Sequence, residues 1–182
     1  MEIAIRELLI EKRHLTPAQI SAQIDAMDAR SPANGAAVVA RAWVDPAFKA
    51  RLLKDASAAS REMGFDIGPL HLIAVENTKQ IHNLIVCTLC SCYPRNLLGL
   101  PPDWYKTRAY RSRAVREPRA VLEEFGVKLS HETKIRVHDS TADMRYIVLP
   151  ARPEGTEGLS EADLATLVTR DSMIGTGLPK QP

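Results

Sequence analysis

The three cysteines of this 182-residue chain fall within six residues, Cys87-Thr88-Leu89-Cys90-Ser91-Cys92, directly after the apolar run Leu84-Ile85-Val86. Thiols gathered at i, i+3 and i+5 point to metal binding, but the usual arrangements fit poorly. A structural zinc site takes four protein ligands, set as pairs of thiol or imidazole groups well apart in sequence. Here one cluster of three stands without a second pair. His82, the nearest imidazole, would lie roughly 15 Å away along an extended segment and makes a poor fourth ligand. A disulfide would leave one cysteine odd, and a reducing cytosol disfavours it. A thioredoxin-like Cys-x-x-Cys expects a helix to follow, whereas Tyr93-Pro94 argues against one.

A tight loop with this spacing can turn all three sulfurs toward one ion, and its own backbone then comes close to that ion. Deprotonated amides of Ser91 and Cys92 would add two nitrogen donors and leave one position open. Three thiolates and two amidates, each singly negative, would favour trivalent low-spin cobalt or iron over zinc. Spacing alone leaves both this site and plain loop cysteines open.

The run Val86-Cys87-Thr88-Leu89-Cys90-Ser91-Cys92 resembles the metal-binding signature of the nitrile hydratase α subunit, with the threonine at position 88 that is associated with the cobalt form. Further blocks follow the family pattern in order. They are Leu98-Gly99-Leu100-Pro101-Pro102-Asp103-Trp104-Tyr105-Lys106, the stretch from Tyr110 to Arg119, Arg145-Tyr146-Ile147-Val148-Leu149-Pro150, and Val168-Thr169-Arg170-Asp171-Ser172-Met173-Ile174-Gly175.

The resemblance implies an enzyme that hydrates a nitrile to an amide. It implies one non-corrin Co(III), with Fe(III) the lesser choice, held by Cys87, Cys90 and Cys92 and by the backbone nitrogens of Ser91 and Cys92. Cys90 would become a sulfinate and Cys92 a sulfenate, so that oxidation ordinarily seen as damage or redox sensing supplies working groups. The nucleophile would be the Cys92 sulfenate oxygen or a water activated by the ion. Arg145 matches a family arginine beside the site, where it could pair with sulfur oxyanions. The plain alternative is a surface arginine on a strand. Asp139 and Asp143 flank the segment before it, and Asp143 replaces the family's usual glutamate. His138 reads as a half-buried, hydrogen-bonded residue.

Arg95 is a departure, since many members have a tryptophan three residues past the last cysteine. With Ser112 it is assigned to the substrate pocket, and its charge favours a bulky or polar nitrile; the alternative is an outward arginine docked on a partner. A β-type subunit, whole or split into two chains, is the implied partner. The segment between Gln19 and Gly35 is shorter than is usual in the family, which brings three-chain relatives such as toyocamycin nitrile hydratase and thiocyanate hydrolase into view. The competing functions are a thiocyanate hydrolase metal-binding subunit and a non-catalytic metal-storage or regulatory protein.

Composition bounds these readings. Lys+Arg 24 against Asp+Glu 22 leaves a net charge of +2, far from a dedicated nucleic-acid binder, so the cluster Arg108, Arg111, Arg113, Arg116 and Arg119 reads as a solvated or subunit-facing surface. No apolar run reaches the ~18 residues that span a membrane, and the charged start lacks a signal peptide, so the cytoplasm is the expected compartment.

The elements that must hold the loop divide into a helical front and a mixed back. Thr16-Pro17-Ala18-Gln19 reads as a capping-box helix start. A helix is expected over 34–43, and another from Asp45-Pro46, with Phe48, Leu52, Leu53, Ala56 and Ala59 on one face and Gly64 as its stop. Branched apolar runs predict strands at 70–76, 83–87, 134–138 and 145–149. Short helices are expected at 118–125 and 160–168. The expected fold is a layered α/β sandwich domain over 65–182 preceded by an N-terminal helical arm over 1–64.

Overall fold

Proline and hydroxyl or carboxylate caps punctuate the front of the chain, and the computed structural model, which describes residues 2–182, places helices where they fall. Helix α1 spans Glu2–Glu11 and α2 spans Pro17–Asp28. The capping box at Thr16 is formed in full, its side chain accepting from the Gln19 amide while the Gln19 side chain accepts from the Thr16 amide. Neither helix buries a residue.

Burial begins at α3, Ala33–Val44, which sinks Ala36, Val38, Val39, Ala40 and Ala42. The single helix expected after Asp45-Pro46 is two: α4 spans Pro46–Lys54 and α5 spans Ala56–Glu62. Asp55 makes the break. Its extended backbone leaves α4, and its carboxylate accepts from the Ala58 amide to cap α5. A carboxylate that bonds nearby backbone competes with helix continuation. The break turns Leu53 outward while Leu52, Ala56 and Ala59 stay buried.

Four strands follow the expected runs: β1 His71–Glu76, β2 Ile81–Val86, β3 Lys134–Asp139 and β4 Met144–Leu149. Although only a short turn joins β1 to β2, they do not form a hairpin. Each pairs in parallel with a later strand, β1 with β4 and β2 with β3, in two two-stranded sheets. Parallel pairing requires a crossover, and three helices supply it between β2 and β3: α6 Arg95–Leu98, α7 Arg108–Arg116 and α8 Pro118–Glu124. Helices α9, Glu161–Leu167, and α10, Arg170–Ile174, close the chain. Helices thus cover short parallel sheets in an α/β fold. One main core joins Val38, Val39, Phe48 and Leu52 of the helices to Leu84, Ile85, Val86, Ile147 and Val148 of the strands. No helix among the described residues is long and apolar enough to cross a membrane.

Gly175 ends α10 with φ of 90°, and a Cβ there would lie 1.9 Å from the Asn83 carbonyl oxygen of β2. The same turn receives a hydrogen bond at its Gly175 carbonyl from His82 Nε2, at 2.7 Å, so His82 faces α10 and not the cysteines. Asn83, next along β2, accepts from His138 Nε2 at 2.8 Å and donates to Glu76 and Asn77. His138 is the half-buried, bonded histidine its sequence context suggested.

Gly175→Ala is expected to lower the melting temperature by roughly 5–10 °C, since both strain and a backbone clash must be relieved; differential scanning calorimetry checks this. Burial holds both His82 and His138 below the ordinary value of 6.5. The unfolded chain therefore binds more protons than the folded one as pH drops below about 6.5, and stability present above that value is lost as pH falls through the folded values. Urea unfolding followed across pH 7.5 to 5 should show that slope, and the double variant His82→Gln with His138→Gln should flatten it.

Candidate metal centre

Strand β2 ends at Val86, and the backbone then turns through residues 87–94 before α6. The turn brings the three sulfurs together. Cys87 Sγ lies 3.4 Å from Cys90 Sγ, Cys90 Sγ lies 3.0 Å from Cys92 Sγ, and all three fall within 4.8 Å of one another. All are free thiols, with Cys87 and Cys92 buried and Cys90 exposed.

Three side chains from outside the loop hold it, and a fourth holds the strand that leads into it. Asp139, the last residue of β3, accepts from the Thr88 amide at 2.9 Å and from Thr88 Oγ1 at 2.5 Å. Arg111 Nη1 on α7 donates to the Cys90 carbonyl at 3.1 Å and to the Thr88 carbonyl at 3.5 Å. Tyr105 Oη donates to the Cys92 carbonyl at 2.9 Å, and Tyr110 Oη to the Ile85 carbonyl at 2.6 Å. Both tyrosines stand in an aromatic cluster with Tyr93, Trp104 and Phe125, stacked edge-on or tilted at centroid distances of 4.7–6.2 Å. Burial raises their phenol pKa values well above the ordinary range, so they remain donors.

The sulfurs do not titrate alike. Hydrogen bonds from the Cys92 and then the Cys87 thiol, reinforced by the Ser91 and Cys92 amides, bring Cys90 down to about 7. Burial, and then the hydrogen bond with Cys90, pushes Cys92 up to about 12, against the pull of the Arg145 charge. Three thiols packed this tightly resist ionising together unless a cation compensates them. The soft donor set, with the Cys90 amide already donating to Cys87 Sγ at 3.3 Å, fits such a cation.

Arg145 lies beside this cluster. Its Nη1 donates to the Thr141 and Met144 carbonyls, while its Nε is buried without a partner. A buried guanidinium N–H left unpaired costs on the order of 1–3 kcal/mol, which an anionic acceptor at the sulfurs would remove. Cys90, Cys92, Arg145, Arg95, Arg30 and Asn96 line one open cleft of about 360 Å³, with Cys87 buried behind it.

Comparison with known proteins gives this geometry its family. The family model described as nitrile hydratase, alpha chain, matches residues 1–177. The chain belongs to the nitrile hydratase α-chain family. It is 57% identical over 154 residues to the low-molecular weight cobalt-containing nitrile hydratase subunit alpha of Rhodococcus rhodochrous, a match spanning 83% of this chain and 73% of that one. It is 42% identical over 192 residues to the gamma subunit of thiocyanate hydrolase from Thiobacillus thioparus, across 99% of this chain and 79% of the relative. Among solved structures, a double mutant of the Fe-type nitrile hydratase of Comamonas testosteroni superposes with a TM-score of 0.91 at 46% identity, covering 98% of this chain and 88% of that chain.

For a nitrile hydratase α-type chain, the candidate residues sort clearly. Cys87, Cys90, Ser91, Cys92 and Arg145 come together, and Arg95 reaches the same cleft. Ser112 does not. It lies on a separate groove with Thr88, Arg108, Arg111, Val115 and Arg116, and its hydroxyl turns back to the Ala109 carbonyl. The basic cluster on α7 and α8 is largely satisfied within the chain. Arg113 pairs with Glu117 and Glu124, and Arg119 donates to the carbonyls of Leu129, Ser130 and Thr133. Asp139, Arg111, Tyr105 and Tyr110 were not singled out as loop-holding residues by the sequence reading. Tyr105, Tyr110 and Arg111 were visible only within family blocks and Asp139 only as a residue flanking the segment before Arg145, because none is near the cysteines in sequence.

Removing the Asp139 carboxylate should free the Thr88 amide. In the metal-free chain, Asp139→Ala is expected to raise hydrogen exchange there by about tenfold to a hundredfold, in line with a lost charge-assisted bond worth about 1.5–3 kcal/mol. Asp139→Asn, which keeps an acceptor, should raise it less. Unchanged protection in Asp139→Ala would rule out the clamp.

Proposed function

We propose that this chain is the metal-binding catalytic α subunit of a cobalt nitrile hydratase, hydrating a bulky or polar nitrile to its amide together with a β-type subunit. The observation that carries the reading is the cluster of three sulfurs, two of whose cysteines share one cleft with Arg145. Cys87, Cys90 and Cys92, with the Ser91 and Cys92 amide nitrogens, would hold one non-corrin Co(III). When bound, the ion supplies Lewis acidity that makes a nitrile carbon easier to attack.

The chain's own groups account for the rest. With Cys90 as sulfinate and Cys92 as sulfenate, the buried Arg145 Nε gains the anionic acceptor it lacks and orients the Cys92 oxygen. That oxygen is the proposed nucleophile. Its attack forms a carbon–oxygen bond as a carbon–nitrogen π bond opens and the nitrogen takes a proton; water then attacks the Cys92 sulfur, the original sulfur–oxygen bond breaks, the amide leaves with that oxygen and a proton from the water, and the water's oxygen restores the sulfenate. Asp139 and Arg111 keep the loop from opening as charge moves. Preorganised donors of the Arg145 kind are typically worth two to three powers of ten in rate.

A second reading has its own support. The thiocyanate hydrolase gamma subunit is similar along nearly the whole chain, and the cationic Arg95 suits a small anion. Elemental analysis and intact mass of protein matured with cobalt available test the metal centre. About one cobalt per chain and about three added oxygens are expected, the latter from one sulfinate and one sulfenate. Stoichiometric zinc without oxidation would refute it. Assay of the assembled enzyme on aromatic and heterocyclic nitriles and on thiocyanate separates the reactions. Turnover of thiocyanate alone would transfer the chain to the second reading, and bound cobalt with no turnover beside its partner would mark a storage protein. Arg145→Gln should lower kcat by about 10²-fold while cobalt content holds.

A further inference from the structure

The cleft over the sulfurs carries more positive charge than Arg145 alone provides. Arg30 follows α2, Arg95 opens α6, and both line the cleft with Asn96, which follows Arg95 in sequence and meets the Arg30 side chain. Several surface arginines of this chain meet a carboxylate: Arg41 with Asp45, Arg51 with Glu62, Arg113 with Glu124 and Arg170 with Asp171. Among the described residues, no carboxylate pairs with Arg30, Arg95 or Arg145. Arg145 is engaged by the Thr141 and Met144 carbonyls. The other two guanidiniums remain at the mouth.

Arg30 is held there by the fold and not by the exposed helices before it. Gly99, with φ of 69°, lies so close that a Cβ on it would stand 2.6 Å from the Arg30 carbonyl oxygen. The Arg30 side chain meets Asn96 Oδ1 at 3.5 Å, and Asn96 is itself anchored by donating to the Asp66 carbonyl at 2.7 Å. A small apolar hollow adjoins the cleft, lined by Ile67, Leu72 and Leu97 and sharing Leu70, Arg95 and Arg145 with it. One side of the approach to the sulfurs is therefore cationic and the other apolar.

We infer that Arg30 and Arg95 form an anion-binding subsite beside the sulfur cluster, and that the substrate is a small nitrile carrying a carboxylate a short apolar stem away from its C≡N group. The inference rests on the nitrile-hydrating reading and narrows its substrate class from polar to anionic. Two guanidinium forks suit the planar, two-oxygen face of a carboxylate. Thiocyanate shares the charge and the terminal C≡N, but it offers no such face and needs little of a 360 Å³ cleft.

The test compares 3-cyanopropanoate with its neutral, equally shaped counterpart 3-cyanopropanamide, on enzyme assembled with its partner chain and matured with cobalt. In the wild type, kcat/KM is expected to favour the carboxylate by at least about tenfold, with the preference shrinking as salt rises. Arg95→Gln and Arg30→Gln should each bring the ratio to within about twofold of one, and Arg95→Lys should keep part of it. Equal use of the two nitriles by the wild type overturns the subsite while the nitrile-hydrating reading survives. Turnover of thiocyanate with neither nitrile overturns both. Because the wild-type ratio and its salt dependence need no variant, a substitution that fails to fold leaves the test intact. Titration of 3-cyanopropanoate and 3-cyanopropanamide into the metal-free chain gives a readout without turnover: saturable binding of the carboxylate only is expected, and equal binding of both would count against the subsite.

Discussion

The parallel pairing of β2 with β3 is the constraint on which the candidate centre depends. Its register sets Val86 opposite Asp139, so the last residue of one strand delivers a carboxylate to the loop that leaves the other. A slip of one residue would turn Asp139 to the opposite face of the sheet. The Thr88 amide and hydroxyl would lose their acceptor, and the sulfurs would lose the fixed end of their loop. The remaining restraints act from below and behind: Tyr105 and Tyr110 reach up from an aromatic layer, and Arg111 holds two loop carbonyls from α7. The loop is thus short of regular structure yet tied at both ends.

Electrostatics adds a second level of order. The three sulfurs are close enough to perturb one another in opposite directions, one thiol lowered and a neighbour raised. Such a cluster is poised for a cation, and its surroundings supply positive charge in graded positions. Arg111 touches the backbone of the loop, Arg145 shares the cleft with Cys90 and Cys92, and Arg30 and Arg95 stand at the mouth. Arg113 and Arg119, by contrast, serve ion pairs and backbone packing within α7, α8 and the segment after it. Residue type alone did not separate these groups, and only their partners do.

Much of this architecture was legible in the chain before any coordinates. The Thr16 capping box, the Asp45-Pro46 helix start, the Gly64 stop and all four strands follow from local rules that act within a few residues. The split at Asp55 was missed because an apolar stripe continues across it, and a side-chain cap outweighed the stripe. Helices α6, α7 and α10 are short and polar or family-specific, and their stability comes from tertiary packing more than from propensity. The sulfur ligands were readable because they are contiguous. The shared groove of Ser112, the docking of Arg30 under Gly99 and the clamp from Asp139 depend on contacts across many residues, and no local rule carries them.

The distance in sequence between Thr88 and Asp139 has a consequence for how the protein is made. The two are 51 residues apart, so at synthesis rates of about 5–20 residues per second the thiols emerge roughly 3–10 s before the carboxylate that fixes their loop. During that interval the cysteines are tethered to a growing chain without the crossover that buries two of them. The strand order therefore divides the life of these sulfurs into an early period, when they are open to cellular oxidants and competing metals, and a later one, when the fold itself decides which of them solvent can reach.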